Sequence, residues 1–443
     1  MDAFVIRGGR PLRGTVRVNG SKNAALPLMA ASLLTDERVV LEDVPKLSDI
    51  RNMVRLLESL GCGAERPGDG GRVELHAKDA SSVEAHYDIV RTMRAGVCVL
   101  GPLLAKRGAA RVSMPGGCAI GDRPVDLHLR GLRALGAEIE LDGGYIVARA
   151  PGGRLRGRSV FLGGPNGSTV LGTANVMSAA ALAEGVTTIE CAACEPEVED
   201  LAVMLNGMGA KIRGAGTPRI VIEGVERLGG VEHRVMPDRI EAGTYVMASA
   251  ITNGDIVLEN YPTRALAALH DRLEFVGVEV AADTKDGAEG GGVDGGGLRD
   301  TVRVVTKRRL TPVHVVTQPH PGFPTDLQAQ LMALLCLADG NSMVTEKIFP
   351  DRFLHVAELL RMGASLTRSG PSVLVTGVPE LIGAPVMASD LRASAGLVLA
   401  GLAARGETRV LRVYHLDRGY ERMEVTLRGL GAEIERVREE DLA

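Results

Sequence analysis

The residues with most chemical potential in this chain are cations placed where a helix has least use for them. Ser21-Lys22-Asn23, Arg91-Thr-Met-Arg94, Asp238-Arg239, Pro324-Thr325-Asp326 and Asp390-Leu-Arg392 each open an apolar, small-residue run that reads as a helix. Capping accounts for Ser21, Thr325 and Asp390. It does not account for the cations, because a helix N-terminus already carries positive partial charge and favours an anion instead. A second set lies in turns: Gly116-Gly-Cys118-Ala-Ile-Gly121-Asp-Arg123-Pro124, Glu195-Pro-Glu197, Arg352-Phe-Leu-His355 and Asp417-Arg418-Gly-Tyr420. Cys118 stands among three glycines with a proline on either side, the composition of a mobile surface loop, and Arg123 favours its thiolate. Guanidinium forks, an ammonium and a thiol in such positions suit the binding and turnover of a compact anion.

The elements that must position these residues follow from a repeat. One phrase, an amphipathic run ending in Gly and followed by a short alternating strand, ends at Gly61, Gly136, Gly209, Gly277, Gly363 and Gly431. A Gly that closes a helix and an alternation of period two read together as helix, cap and strand. Upstream of each phrase lies an apolar helix followed by another strand. These helices start near Lys22, Arg94, Val170, Glu241, Asp326 and Asp390, so successive starts are 72, 76, 71, 85 and 64 residues apart. The long interval holds Thr284 to Asp300, whose seven glycines mark a flexible insertion. The period exceeds that of solenoids. Three units fall in each half, and helices apolar nearly all round imply an inside position with sheets outside. The fold expected is α/β with two similar lobes, residues 22–236 in one and 1–21 plus 237–443 in the other.

Composition removes several alternatives. The chain has 443 residues, 45% of them apolar and 24% charged, which suits a globular protein of two large halves or about three domains. A net charge of −4, no Trp and 3% aromatics argue against nucleic acid or an anionic membrane as partner. Ala393 to Ala404, the longest nearly apolar stretch, is too short for a membrane span. Six cysteines form no disulfide framework in so long a chain, and the first residues read as a strand rather than a secretory signal, so a cytoplasmic protein is expected. Cys62, Cys98 and Cys336 read as buried, and Cys191-Ala-Ala-Cys194 as part of a packed element.

The chain resembles the enolpyruvyl transferases over essentially its whole length. The resemblance rests on Gly20-Ser-Lys-Asn-Ala-Ala25-Leu-Pro, Pro115-Gly-Gly-Cys118-x-Ile-Gly-x-Arg123-Pro-Val-Asp126-Leu-His128 and Pro237-Asp-Arg-Ile-Glu-Ala-Gly243-Thr. Phe323-Pro-Thr-Asp326-Leu-Gln-Ala-Gln330, Ser389-Asp-Leu-Arg392-Ala-Ser394 and His415-Leu-Asp-Arg418-Gly-Tyr-Glu421 complete it. It implies an inside-out α/β barrel of six βαβαββ-type units, three per lobe. The implied reaction moves the enolpyruvyl group of phosphoenolpyruvate to the 3′-hydroxyl of UDP-N-acetylglucosamine, an early step of peptidoglycan precursor synthesis, with neither cofactor nor metal. The Cys118 loop and the Arg-Pro-Val-Asp-Leu-His run favour this acceptor over shikimate 3-phosphate.

By the same resemblance, Lys22, Arg123 and Arg418 surround the phosphate of phosphoenolpyruvate, and Arg94, Arg352 and Arg392 complete a cationic cleft. Asp326 takes the proton of the sugar hydroxyl, and Cys118 acts at C3 of phosphoenolpyruvate and is the target of fosfomycin. The nucleotide sugar is implied to meet Asn23, Arg123, Pro124, Val125, Asp126, Leu127, His128, Thr169, Val170, Thr325, Asp326 and Ile348, and Asp390 joins the substrate-binding set. Ser168-Thr-Val-Leu-Gly-Thr173 departs from the family's usual Ser-Val-Gly-Ala-Thr, and Pro350 stands where many members carry an acidic residue. A monomer is expected. A catalytically inactive sensor of UDP-sugars is disfavoured, because a pure binder has no use for a thiol and a base beside a trianion.

Overall fold

The computed structural model describes residues 1–68, 70–115, 125–282, 297–306 and 309–442. Cys118, Arg123 and Pro124 lie outside the described residues, as does most of the glycine-rich insertion. The chain forms two compact units, one from Met1–Asn19 and Pro237–Ala443 and the other from the chain between them. The crossing falls between Asn19 and Gly20, two residues earlier than the sequence suggested. Ser21 belongs with the following helix because its side chain accepts from the Ala24 N–H (3.3 Å) and its own N–H donates to the Met236 carbonyl (2.7 Å).

In the unit of residues 20–236, three inner helices, Lys22–Ala31, Leu100–Arg107 and Val170–Ala180, are followed by outer helices Ser48–Ser59, Asp126–Ala134 and Pro196–Gly207. In the other unit the inner helices are Arg239–Ile251, Gln328–Leu335 and Leu391–Ala403, and the outer ones Ala267–Val276, Leu354–Arg361 and Met423–Gly429. All thirteen residues of Arg239–Ile251 and all eight of Gln328–Leu335 are buried, as runs apolar on every face must be. The six phrase-ending glycines all have positive φ, from 79° at Gly61 to 102° at Gly209, a conformation that a side chain would strain.

Six four-stranded sheets are present among the described residues, all with one order. A leading strand pairs parallel with the first strand of the repeat, which pairs antiparallel with the third, and the second strand forms the far edge. In the first repeat these are Val231–Arg234, Val39–Glu42, Val73–Ala77 and Cys62–Glu65. The leading strand there comes from the end of its unit, and the N-terminal Asp2–Arg7 sits inside the last repeat's sheet. In each unit a strand from one end of the chain segment is thereby drawn into a sheet of the repeat at the other end. Cys62, Cys98 and Cys336 are buried, and burial pushes the thiols of Cys98 and Cys336 up to about 12. Cys191 and Cys194 are partly exposed around the buried Ala192 and Ala193. No helix among the described residues is long and apolar enough to cross a membrane.

Packing between inner helices depends on small residues. A Cβ on Gly101 would stand 2.3 Å from the Asn175 carbonyl oxygen, a backbone atom that cannot turn aside. Gly101→Ala is expected to lower stability by about 2–3 kcal/mol, measured by urea unfolding; an unchanged midpoint would contradict the close approach.

The crossing at Asn19 is held by Glu241, a residue only 3% exposed. Its carboxylate accepts from the Asn19 N–H (2.8 Å) and side-chain amide (3.0 Å), while the Asn19 carbonyl accepts from the Asp238 N–H (2.8 Å). Burial, with Asp238 adding, pushes the Glu241 carboxyl up to about 8 from an ordinary 4.5, against the pull of the Asn19 bonds. The folded state therefore holds this proton more tightly than the unfolded chain. Its contribution to stability is complete below about pH 4.5 and is lost as pH rises through about 8. Glu241→Gln removes that slope, so wild-type and variant urea midpoints should diverge across this window in the direction of a wild type weakening with rising pH.

Candidate active site

In the unit of residues 1–19 and 237–443, the starts of three inner helices meet around one carboxylate. Asp326 lies in a short helical turn, Thr325–Leu327, that leads into Gln328–Leu335. Its Oδ1 accepts from Arg352 Nη1 (2.7 Å) and its Oδ2 from Arg392 Nη2 (3.2 Å). The arginine side chains are 7% and 3% exposed, while 28% of the Asp326 side chain stays accessible. Burial alone would raise the Asp326 carboxyl, but Arg392, Arg352 and the nearby Arg239 together hold it well below the usual carboxylate range. Arg392 is held firmly protonated, because Asp326 and its other neighbours outweigh its own burial.

Arg392 is aimed by a hydroxyl network. Its Nη1 donates to the Tyr420 hydroxyl (3.2 Å), which lies 2.9 Å from Thr244 Oγ1. Gln330 Nε2 donates to both oxygens (3.3 and 3.1 Å), and Thr244 donates to the Ile240 carbonyl (2.7 Å). Because Thr244 spends its proton on Ile240, the Tyr420 hydroxyl donates to Thr244 and turns its lone pairs towards Arg392. Asp390 caps the helix that carries Arg392, accepting from the N–H groups of Arg392 (2.9 Å) and Ala393 (3.1 Å). His355, fully buried close by, is pushed down to about 4 by burial and by Arg352, although Asp390 opposes this.

Thr325 is not the helix cap expected from its position. Its hydroxyl donates to Glu346 Oε2 (2.9 Å) and accepts from Arg352 Nη1 (3.0 Å), since a side chain preceded by Pro324 at a tight turn finds a buried carboxylate nearer than a backbone N–H. Ile348 enters the same neighbourhood through its N–H, which donates to Glu346 Oε1 (2.8 Å). Arg418 ends the helical turn Val413–Arg418, partly exposed. Its neighbour Asp417 is clamped by Arg436 (3.0 and 2.5 Å).

In the other unit, Lys22 begins the first inner helix and donates to Asp49 Oδ2 (3.1 Å), the two side chains being 10% and 5% exposed. Asn23 is half-buried beside it, and Arg94 opens the turn Arg94–Val99 that runs into the second inner helix. Val125 is buried at the start of Asp126–Ala134, with Asp126 exposed and Leu127 half-buried. His128 is 4% exposed, and Asn175 Nδ2 donates to its Nδ1 (2.9 Å), which places the proton of the neutral ring on Nε2. Asn175 also accepts from the Gly101 N–H (2.7 Å) and donates to the Val97 carbonyl (2.8 Å), so one amide ties together the helices behind Arg94, His128 and Thr169. Thr169 caps the third inner helix through the Gly172 N–H (3.2 Å), with Val170 next to it.

Asp49, Asn175, Thr244, Gln330 and Tyr420 were not foreseen as site residues. Gln330 carries a local signal, since it follows Asp326 by four residues and so shares a helix face with it. Thr244 and Tyr420 lie within the quoted motifs, but their pairing across 176 residues has no local mark, and Asp49 and Asn175 carry no signal.

The profile of EPSP synthase (3-phosphoshikimate 1-carboxyvinyltransferase) matches residues 6–427. The chain belongs to the EPSP synthase family. Among family relatives, the UDP-N-acetylglucosamine 1-carboxyvinyltransferase of Anaeromyxobacter dehalogenans (strain 2CP-C) is 56% identical over 439 residues, 99% of this chain and 100% of that protein. The protein of the same name from Rhodospirillum centenum is 54% identical over 452 residues and the full length of both. The enolpyruvyl transferase NikO from Streptomyces tendae superposes with a TM-score of 0.86 at 25% identity, over 98% of this chain and 99% of that one. An EPSP synthase from Acinetobacter baumannii shares the fold with a TM-score of 0.75 at 20% identity, over 99% and 100%. The two-lobed α/β fold expected from the repeats is thus that of the EPSP synthase family.

Removing one member of a buried ion cluster leaves its partners desolvated and unpaired. Asp326→Asn is therefore expected to lower stability by about 3 kcal/mol, measured by urea unfolding against the wild type.

Proposed function

We propose that this chain is a UDP-N-acetylglucosamine 1-carboxyvinyltransferase, acting in the cytoplasm as a monomer in peptidoglycan precursor synthesis. The observation that carries this reading is the Asp326 carboxylate gripped by two buried guanidinium groups, a base and its anion-binding partners in a single cluster. The names of the relatives, at more than half identity over nearly the whole chain, support UDP-N-acetylglucosamine as acceptor.

In the proposed reaction the 3′-oxygen of the sugar bonds to C2 of phosphoenolpyruvate, its proton passes to a base, and a proton is added at C3. The tetrahedral intermediate then loses a proton from C3 and expels inorganic phosphate. Lys22, Arg123 and Arg418 hold the phosphate, while Arg94, Arg352 and Arg392 supply the remaining positive charge. Preorganised donors of this kind stabilise charge as it develops. Cys118 acts at C3. The sugar nucleotide is held by Asn23, Arg123 to His128, Thr169, Val170, Thr325 and Ile348, with Asp390 supporting the helix of Arg392.

Asp326 gains its basicity from the substrate. At rest its two guanidinium partners keep it ionised and weakly basic. Arg352 Nε and Nη2 have no partner among the described residues, and a trianion beside them competes with Asp326 for both forks. As the guanidinium groups turn to phosphoenolpyruvate, Asp326 loses counter-charge and becomes a better acceptor for the hydroxyl proton.

Purified enzyme should release phosphate from phosphoenolpyruvate with UDP-N-acetylglucosamine and not with shikimate 3-phosphate; the reverse preference would refute the acceptor. Asp326→Asn should lower kcat by about 10²–10⁴-fold. Fosfomycin should alkylate Cys118, seen as a mass increase on the intact chain, and Cys118→Asp should be resistant; unchanged sensitivity would refute that mode of inhibition.

A further inference from the structure

Glu346 is fully buried in the unit that carries Asp326, and all of its charge is spent on four donors. Its Oε1 accepts from the Thr317 hydroxyl (2.7 Å) and from the N–H groups of Ile348 (2.8 Å) and Phe349 (3.0 Å). Its Oε2 accepts from the Thr325 hydroxyl (2.9 Å). A carboxylate in this setting is an acceptor only, so it fixes the direction of every bond it makes. Thr325 must point its proton at Glu346, and the oxygen lone pairs left over face Arg352 Nη1 at 3.0 Å. The same Nη1 bonds Asp326 at 2.7 Å.

From this geometry we infer that Glu346 is a positioning residue for the transferase, setting Arg352 and Asp326 through Thr325 and holding the turn at Ile348. The inference rests on the function proposed above. A neutral amide in its place cannot reproduce the pattern. If the amide presents its oxygen to the two backbone N–H groups, its NH2 faces Thr325, whose hydroxyl proton is then without an acceptor. If it presents them the other way round, two backbone N–H groups meet an NH2. Either way the hydroxyl that supports Arg352 loses its fixed orientation. Misplacement of such a group by about 1 Å is worth about 10²-fold in rate.

The test is steady-state kinetics of Glu346→Gln and Thr317→Val with active-site titration of the folded enzyme. Glu346→Gln should raise KM for both substrates about tenfold and lower kcat/KM by about 10²-fold. Thr317→Val removes a donor on the far side of the same carboxylate and should lower the urea midpoint while leaving both KM values within twofold. Loss of folded enzyme alone reduces active sites without changing either KM, so unchanged KM values in Glu346→Gln would overturn the role. If that variant does not fold, Thr325→Val breaks the same link, and wild-type KM values there would overturn it equally. A urea double-mutant cycle of Glu346→Gln with Arg352→Met reads the coupling without any substrate. Non-additive midpoints are expected and additive ones refute the inference, even if the wild type were to show no transferase activity.

Discussion

The site depends on one constraint: a carboxylate and two guanidinium groups are held mostly out of water and must satisfy one another. Asp326 takes one fork on each oxygen, and neither arginine keeps more than a tenth of its side chain exposed. Removing charges from water is costly, and mutual pairing repays it only when the geometry is good. The structure secures that geometry from three directions, with Tyr420 and Gln330 behind Arg392, Thr325 beside Arg352, and the Asp390 cap under the helix of Arg392. A cluster so braced has its donors and its acceptor oriented in advance.

The position of these cations explains the oddity seen in the sequence. Lys22, Arg239 and Arg392 stand at the positive ends of buried helices, where the macrodipole opposes them. In each case a carboxylate is close: Asp49 on Lys22, Asp238 as the cap of the Arg239 helix, and Asp326 on Arg392. The structure thus tolerates like charges at helix starts by setting a carboxylate beside each.

How much was legible follows the range of each interaction. The six repeats were, because the Gly caps and the helix and strand periods are local; each phrase-ending Gly has the positive φ expected of it. The helix starts at Lys22 and Val170 were also correct, and Asp390 caps as its type suggests. The capping role given to Thr325 failed because its better partner, Glu346, is twenty-one residues away in sequence, just past the strand Asn341–Thr345. The return of the last strand of residues 20–236 to the first repeat was hidden for the same reason. Nothing in Val231–Arg234 says that it will lead the first repeat's sheet, nearly two hundred residues back in the chain. Lys22 was found from its position, but Asp49, its partner, carries no local mark.

Shortage of aromatics and abundance of small residues, which first served only to exclude other functions, are part of what makes the site. Asp326 and Arg392 are 66 residues apart and meet because their helices run unusually close. A Cβ on Gly396 would lie 2.8 Å from the Ala329 carbonyl oxygen, so only glycine lets the Leu391–Ala403 and Gln328–Leu335 helices approach this far. A side chain there would push the helices apart, and the starts of both would shift with them. The direct bond of 3.2 Å would lengthen, and the electrostatic hold on Asp326 would weaken. Close helix packing, local capping and buried charge pairing are therefore one requirement seen at three scales.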